Sequence, residues 1–122
     1  MNTNKIFFLC VVCLISLLAC SGENTNHRIV GSWQGTSWKV KGQPSGRDAS
    51  EVVFEFKADD AYTAAFGPQK ETGTYRLVEN KLYTTANGQA EKMVQITLAA
   101  VDTLVMDMNR AGTLEELVLV KK

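Results

Sequence analysis

Short runs in which apolar and polar residues alternate occupy the chain from residue 29 onwards. Val52, Phe54 and Phe56, for example, alternate with mostly polar neighbours, which is typical of a half-buried β-strand. Turn-forming residues such as Asn87-Gly88 separate the runs at regular intervals. The pattern predicts about eight strands, at residues 30–40, 52–57, 62–66, 72–78, 81–85, 93–99, 104–108 and 114–120.

Nearly every connection between these runs is short. Because a parallel crossover needs about a dozen or more residues, neighbouring strands are expected to pair antiparallel. An up-and-down meander of this kind can close into a barrel, which removes exposed edge strands. The predicted fold class is all-β, a small antiparallel meander barrel of about eight strands. A two-sheet sandwich is the alternative, since alternation alone does not separate the two.

The first residues have a different character. A short positive start ending at Lys5 precedes an apolar run over residues 6–19. That run is shorter than the roughly 20 residues that a bilayer span needs, but it suits the apolar region of a secretory signal peptide. Leu17-Leu18-Ala19-Cys20 resembles the bacterial lipobox. The resemblance implies that Cys20 becomes the first mature residue and carries a thioether-linked diacylglyceryl group. The alternatives are an ordinary signal peptide with an accidental cysteine and a small buried anchor.

The segment after Cys20 is polar up to residue 28 and has no apolar residue to bury. Such a segment cannot offset the entropy of its own ordering, so we expect it to be flexible. The predicted organisation is a signal peptide at residues 1–19, a tether at 20–28 and one barrel domain at 29–122. Cys10 and Cys13 have C-x-x-C spacing, but they lie in the signal peptide, so no redox or metal chemistry is expected from them.

The charge of the mature chain is close to zero. Removing residues 1–19 takes away one cation, Lys5, and leaves 12 Lys and Arg against 13 Asp and Glu. No basic field is available to gather phosphates, so nucleic-acid binding is not expected.

The start of the first strand, Ile29-Val30-Gly31-Ser32-Trp33, resembles the Gly-x-Trp signature that opens the first strand of lipocalins. The order of the later segments is similar to that of the small lipocalin-like lipoproteins of Bacteroides and its relatives. Those segments are Val53-Phe54-Glu55-Phe56, Asp59-Asp60-Ala61-Tyr62-Thr63, Glu71-Thr72-Gly73-Thr74-Tyr75, Asn80-Lys81-Leu82-Tyr83 and Asp102-Thr103-Leu104-Val105-Met106.

This resemblance implies a lipocalin-like barrel that holds a small apolar or amphipathic ligand. It also implies anchoring in the outer membrane of the cell envelope, on the periplasmic face or at the cell surface. The chain departs from a full lipocalin in being shorter and in lacking the C-terminal helix. It also ends in Lys121-Lys122, where lipocalins often have an arginine that covers the signature tryptophan. Trp33 is therefore interpreted mainly as a plug at one end of the barrel. Trp38 has the opposite strand parity and is expected on the other face or at the rim, unless a bulge intervenes.

Strand parity also predicts which large side chains point inward, and they are numerous enough to fill much of a short barrel. Ala64, Gly73 and Thr84 interrupt this bulky set and are expected to open a limited pocket with an adaptable methionine wall. The candidate ligand-contacting residues are Trp33, Ala64, Gly73, Tyr75, Met106 and Met108. The predicted inward set is Trp33, Val52, Phe54, Phe56, Tyr62, Phe66, Tyr75, Leu77, Leu82, Val94, Ile96, Leu98, Leu104, Met106, Met108, Leu117 and Leu119.

Catalysis is not expected. His27 is the only histidine and lies in the predicted tether, and no nucleophile motif or metal-ligand spacing is present. Glu51, Glu55 and Asp107 occupy predicted solvent-facing positions, and no cofactor is implied. Two function classes follow from the sequence. One is a small-molecule-binding lipoprotein, and the other is a protein-interaction or envelope-structural module with a solid core and an envelope protein as partner.

Overall fold

The structure, a computed structural model, describes residues 25–122, and the predicted signal peptide and lipidation site lie outside that range. Within residues 25–122 no helix has the length and hydropathy needed to cross a bilayer. In the described part of the chain, two short 3-10 helices, Thr25–Ile29 and Ala49–Glu51, accompany nine strands. The strands are β1 Gly31–Val40, β2 Gln43–Pro44, β3 Val52–Phe56, β4 Ala61–Phe66, β5 Gln69–Val78, β6 Lys81–Ala86, β7 Lys92–Ala100, β8 Thr103–Arg110 and β9 Thr113–Lys121.

The strands form one closed antiparallel barrel. Strands β3 to β8 each pair with the next strand along the chain, and β1 pairs with β3 on one side and β9 on the other. The two residues of β2 only extend the end of β1. The prediction of an all-β meander barrel of eight strands is confirmed, and the sandwich alternative is excluded because the sheet closes on itself.

Tight turns keep the meander in register. Gly67-Pro68 joins β4 to β5, and Gly67 has a positive φ of 63°. Ala111-Gly112 joins β8 to β9 with positive φ at both residues, 51° and 87°, as the commonest two-residue hairpin requires. Strand β5 therefore begins at Gln69, directly after the first of these turns, rather than at residue 72 as the alternation predicted.

The interior follows the predicted strand parity. Thirteen of the seventeen residues expected to point inward are buried, and the other four, Phe66, Val94, Leu98 and Met108, pack partly buried against the same cluster. Glu51, Glu55 and Asp107 are exposed, as predicted. The alternation was reliable because each strand has one face on the core and one face in solvent.

Trp38 is the exception in β1, because it is buried at 8% exposure rather than pointing outward. The pairing of β1 with β9 shifts by one residue between Gly35 and Ser37, which is a β-bulge, and this turns the next side chains to the opposite face. A side chain at Gly35 would run into the carbonyl oxygen of Ala49. The bulge places Trp38 inside the barrel, near its rim.

The folded domain begins earlier than residue 29. Thr25–Ile29 forms a 3-10 helix, and the Asn26 side chain is buried at 6% exposure. Asn26 Nδ2 donates to Asp60 Oδ1 at 2.7 Å and to the Tyr75 carbonyl at 3.2 Å, while Asn26 Oδ1 accepts from Leu77 N at 2.6 Å. The expectation of a flexible tether therefore does not hold for residues 25–28, because one polar side chain finds its hydrogen-bond partners on β5 and the β3–β4 turn.

Replacing Asn26 with Ala is expected to lower the free energy of unfolding by about 1–3 kcal/mol, because buried hydrogen bonds to the β5 backbone are lost. Arg28→Ala, in the same 3-10 helix but exposed, should change it by no more than about 0.5 kcal/mol. Denaturant melts of the two variants provide the comparison. Equal effects would contradict a structural role for Asn26.

Candidate functional site

One end of the barrel is closed by Trp33, which is fully buried. Its indole Nε1 donates to the carbonyl oxygen of Ile29 at 2.9 Å, so the 3-10 helix that precedes β1 is held beneath the ring. Lys121 Nζ lies 5.5 Å from the ring centroid, within cation–π range. A lysine thus covers the tryptophan, with its Cε packed where a side chain at Gly31 would otherwise lie.

Tyr75 belongs to the same closed end. Its ring packs edge-on against Phe56 at 4.9 Å, and its hydroxyl donates to the carbonyl oxygen of Lys57 at 2.8 Å. Burial, together with the smaller effects of the nearby Asp60 and Asp59 charges, raises the pKa of Tyr75 to about 12. Tyr75 is therefore part of the seal that closes this end.

The other end is open and leads into a cavity of about 570 Å³, here called the mouth cavity. Leu82 and Met106, each 1% exposed, form its deep wall. Phe54 and the partly buried Val94 and Met108 line it nearer the opening. The cavity therefore has an apolar base that is built from the upper side of the barrel core.

A polar pair lies on one wall of the mouth cavity. The Tyr62 hydroxyl donates to Glu71 Oε2 at 2.6 Å, and Glu71 lines the cavity with Thr84 from the next strand. Burial, followed by the neighbouring Glu71 carboxylate, raises the pKa of Tyr62 above its ordinary value. Tyr62 therefore stays protonated and orients the Glu71 carboxylate.

The rim of the mouth cavity carries cations. Arg47, Lys92 and Arg110 line it from the loop after β2, the start of β7 and the end of β8. The Arg47 guanidinium lies 4.9 Å from the Trp38 ring centroid. Glu115 accepts from Trp38 Nε1 at 2.9 Å, and its other carboxylate oxygen lies 3.8 Å from Arg110 Nε. These contacts fix Trp38 and the two arginines around one side of the opening.

The structure separates the six predicted ligand-contacting residues. Met106 and Met108 line the mouth cavity, whereas Trp33 and Tyr75 lie at the closed end. Ala64 is buried at 2% exposure between its strand neighbours Phe54 and Glu71, which do line the cavity.

Gly73 is not among the residues that line the mouth cavity. A side chain there would collide with the Thr85 carbonyl oxygen and with the β6 backbone at Ala86. The glycine permits close approach of β5 and β6, so its small size serves strand pairing and not the lumen.

Several lining residues were not among the predicted contacts. Glu71 shares the strand parity of Tyr75 and Leu77, and Lys92 and Arg110 continue the inward parity of Val94 and Met108. Parity alone would have found these three if β5, β7 and β8 had been extended to their true ends. Trp38 and Arg47 depend on the bulge and on loop geometry, and alternation carries no signal for either.

A second depression of about 750 Å³, here called the outer groove, lies on the outside of β7 to β9 and β1. Its lining includes Met93 and Leu114, which are 49% and 64% exposed. Asp107 and Glu116 provide negative charge there, with Lys39 as a cation beside them. Within residues 25–122 no group of three or more His, Cys, Asp or Glu side chains is placed to hold a metal ion.

The eight strands form a closed meander that is sealed at one end around a tryptophan and open at the other. This architecture is a calyx-type β-barrel. The profile of the lipocalin-like domain family matches residues 29–106, and the chain belongs to that family.

A solved structure of an uncharacterized protein from Bacteroides eggerthii, determined at 2.60 Å resolution, is similar to this chain. The TM-score is 0.56 at 13% sequence identity, and the match covers 76% of this chain and 98% of that chain. This similarity shows a shared fold. No functionally curated protein matched the chain.

The closed end is expected to make the protein sensitive to alkali. The folded chain retains the Tyr75 proton up to about pH 12, whereas the unfolded chain loses it near the ordinary pKa of about 10. The stabilisation is therefore complete below about pH 10 and is lost as the pH rises towards 12.

Tyr75→Phe removes both the titrating group and its hydrogen bond to Lys57. We expect it to lower the free energy of unfolding by about 1 kcal/mol near neutral pH. We also expect the free energy of unfolding to fall less steeply above about pH 10 in the variant than in the parent. Denaturant melts in steps from about pH 8 to pH 12 measure both effects. An alkaline decline of the same size in the variant and the parent would contradict this role of Tyr75.

Proposed function

We propose that this protein binds a small apolar or amphipathic molecule in the mouth cavity and has no catalytic role. The observation that carries the proposal is the cavity itself, about 570 Å³ in volume and open at one end of a barrel that is closed at the other. Small-molecule sites in proteins typically measure about 300–1,000 Å³ and combine apolar walls with a few placed polar groups. The mouth cavity has both features.

The packing below the cavity limits what it can hold. Phe56 and Tyr62 are almost fully buried, and their rings stack at a centroid distance of 6.4 Å beneath the opening. A ligand therefore occupies the upper part of the barrel and does not run through it. Met106 and Met108 give the wall side chains that adapt to different apolar shapes.

Membrane anchoring through lipid on Cys20 is the second part of the proposal, and the lipobox-like residues support it. Asn26 is hydrogen bonded to β5 at the closed end, six residues after Cys20. Since an extended chain spans about 3.3–3.6 Å per residue, the closed end would lie within about 20 Å of the anchor. In an outer-membrane lipoprotein the mouth cavity would then open away from the membrane surface.

A protein-interaction role is the second candidate function. The outer groove favours it, because Met93 and Leu114 expose apolar surface there beside several charged groups. An envelope protein that docks on this face would leave the mouth cavity unoccupied. The outer groove and the mouth cavity adjoin at Met93, Met108 and Asn109, so variants at residues that line only one of them can separate the two functions.

The ligand-binding proposal predicts saturable binding of an apolar fluorescent probe, N-phenylnaphthylamine, at about one per molecule. Trp38 lines the cavity and Trp33 does not, so binding should quench tryptophan emission in the parent and much less in Trp38→Phe. Val94→Trp should block binding by filling the cavity. Thr97→Trp, on the exposed face of the same strand, is the matched control and should bind as the parent does.

This comparison requires that Val94→Trp and Thr97→Trp are both folded, which a cooperative denaturant melt of each variant shows. Saturable binding that persists in Val94→Trp would place the probe outside the mouth cavity. Binding that never saturates in the parent would reject the carrier role and favour the outer groove as the working surface.

The anchoring proposal predicts that Cys20→Ser yields an unlipidated precursor or a soluble product. Two or more acyl chains hold a protein firmly on membranes, whereas a single chain binds only marginally. Detergent-free fractionation of cells that express the parent and the variant measures the difference. A parent protein found entirely in the soluble fraction would contradict anchoring, whatever the outcome of the ligand titrations.

A further inference from the structure

Cationic side chains outnumber carboxylates around the mouth cavity, although the whole chain has equal numbers of the two. The full sequence has 13 Lys and Arg and 13 Asp and Glu. Among the residues that line the mouth cavity, however, Arg47, Lys92 and Arg110 are cationic and Glu71 is the carboxylate. Because the cations come from three separate elements, the excess arises only when the barrel closes.

Two of these cations have no carboxylate partner within residues 25–122. Arg47 has its guanidinium against the face of Trp38, an arrangement that leaves the edges of the guanidinium free to donate. Lys92, at the start of β7, is exposed on the rim. Arg110 differs from both, because Glu115 lies 3.8 Å from its Nε. Arg47 and Lys92 are therefore the rim cations that remain available to an incoming anion.

The apolar and cationic parts of the cavity lie at different depths. Leu82 and Met106 are almost fully buried at the base, while Arg47 and Lys92 are exposed at the rim. We propose that the mouth cavity selects an amphipathic anion, a ligand whose apolar chain enters the barrel and whose carboxylate or phosphate head stays at the rim between Arg47 and Lys92. This inference rests on the proposed function and adds the chemical class of the ligand.

Glu71 limits where the head group can lie. Its half-buried carboxylate lines the mouth cavity and is held by the hydrogen bond from Tyr62. An anionic head that approached this negative charge would be repelled by it. The repulsion by Glu71 and the attraction of the rim cations both favour a head group beside Arg47 and Lys92.

The test compares ligands that have the same chain and different heads. Decanoate, decyl phosphate, decyltrimethylammonium and uncharged decanol compete with N-phenylnaphthylamine for the parent protein. Two exposed cations are expected to favour the anions over decanol by about fivefold. This preference should shrink as ionic strength rises from about 0.01 M to 0.15 M, because the Debye length falls from about 30 Å to 8 Å. The two anions separately tell whether carboxylate or phosphate is preferred.

Variants assign the preference to residues. Arg47→Gln combined with Lys92→Gln should abolish the preference, so that the anions and decanol compete equally well with the probe. Lys57→Gln combined with Lys81→Gln removes the same charge from exposed positions near the closed end and should keep the preference. Glu71→Gln should strengthen decanoate binding. The head-group comparison on the parent needs no variant to fold.

The outcomes separate this inference from the proposed function. Three outcomes would each overturn the anion assignment while the cavity remains a binding site. The first is equal binding of decanoate and decanol, and the second is a preference for decyltrimethylammonium. The third is an anion preference that survives in the Arg47 and Lys92 double variant. Failure of the probe and all four ligands to bind would overturn the proposed function, and the anion assignment with it.

Discussion

Closure of the barrel through β1 is the constraint on which the rest of the structure depends. The first residues of β1 pair with β3 and its longer second part pairs with β9, so this one strand joins both ends of the meander. To do so it must change direction, and the bulge after Gly35 provides the change. The same bulge turns Trp38 inward, where it meets Arg47 and Glu115 at the rim.

The two ends of the barrel differ in how their polar groups are satisfied. At the closed end, Trp33, Tyr75 and Asn26 each direct a polar atom to a backbone partner, so the end is sealed without an unsatisfied buried donor among these side chains. At the open end, the inward positions carry charged residues instead of apolar ones. Charged side chains cannot be packed into a dry core without a large desolvation cost, so this end stays open to solvent.

Function is therefore expected where the packing stops. The core fills the lower barrel with aromatic and aliphatic side chains, and the same residues form the base of the mouth cavity. Above that base lie the Tyr62–Glu71 pair and the cations of the rim. A compact domain of this size has little unfilled interior. An apolar base beneath a charged opening therefore suits a ligand that has an apolar chain at one end and a charged head group at the other.

The alternation of apolar and polar residues by itself determined the strands, their antiparallel order and the inward set, because side chains in a strand point to opposite faces in turn. It also placed Met106 and Met108 in the interior, and the resemblance to lipocalins correctly indicated the family. Only the tertiary structure decided the burial of Asn26, the inward turn of Trp38 and the meeting of Arg47 with Lys92 at one opening. These features depend on a bulge, a loop and residues far apart in the chain, and contacts between distant residues leave no periodic trace in the sequence.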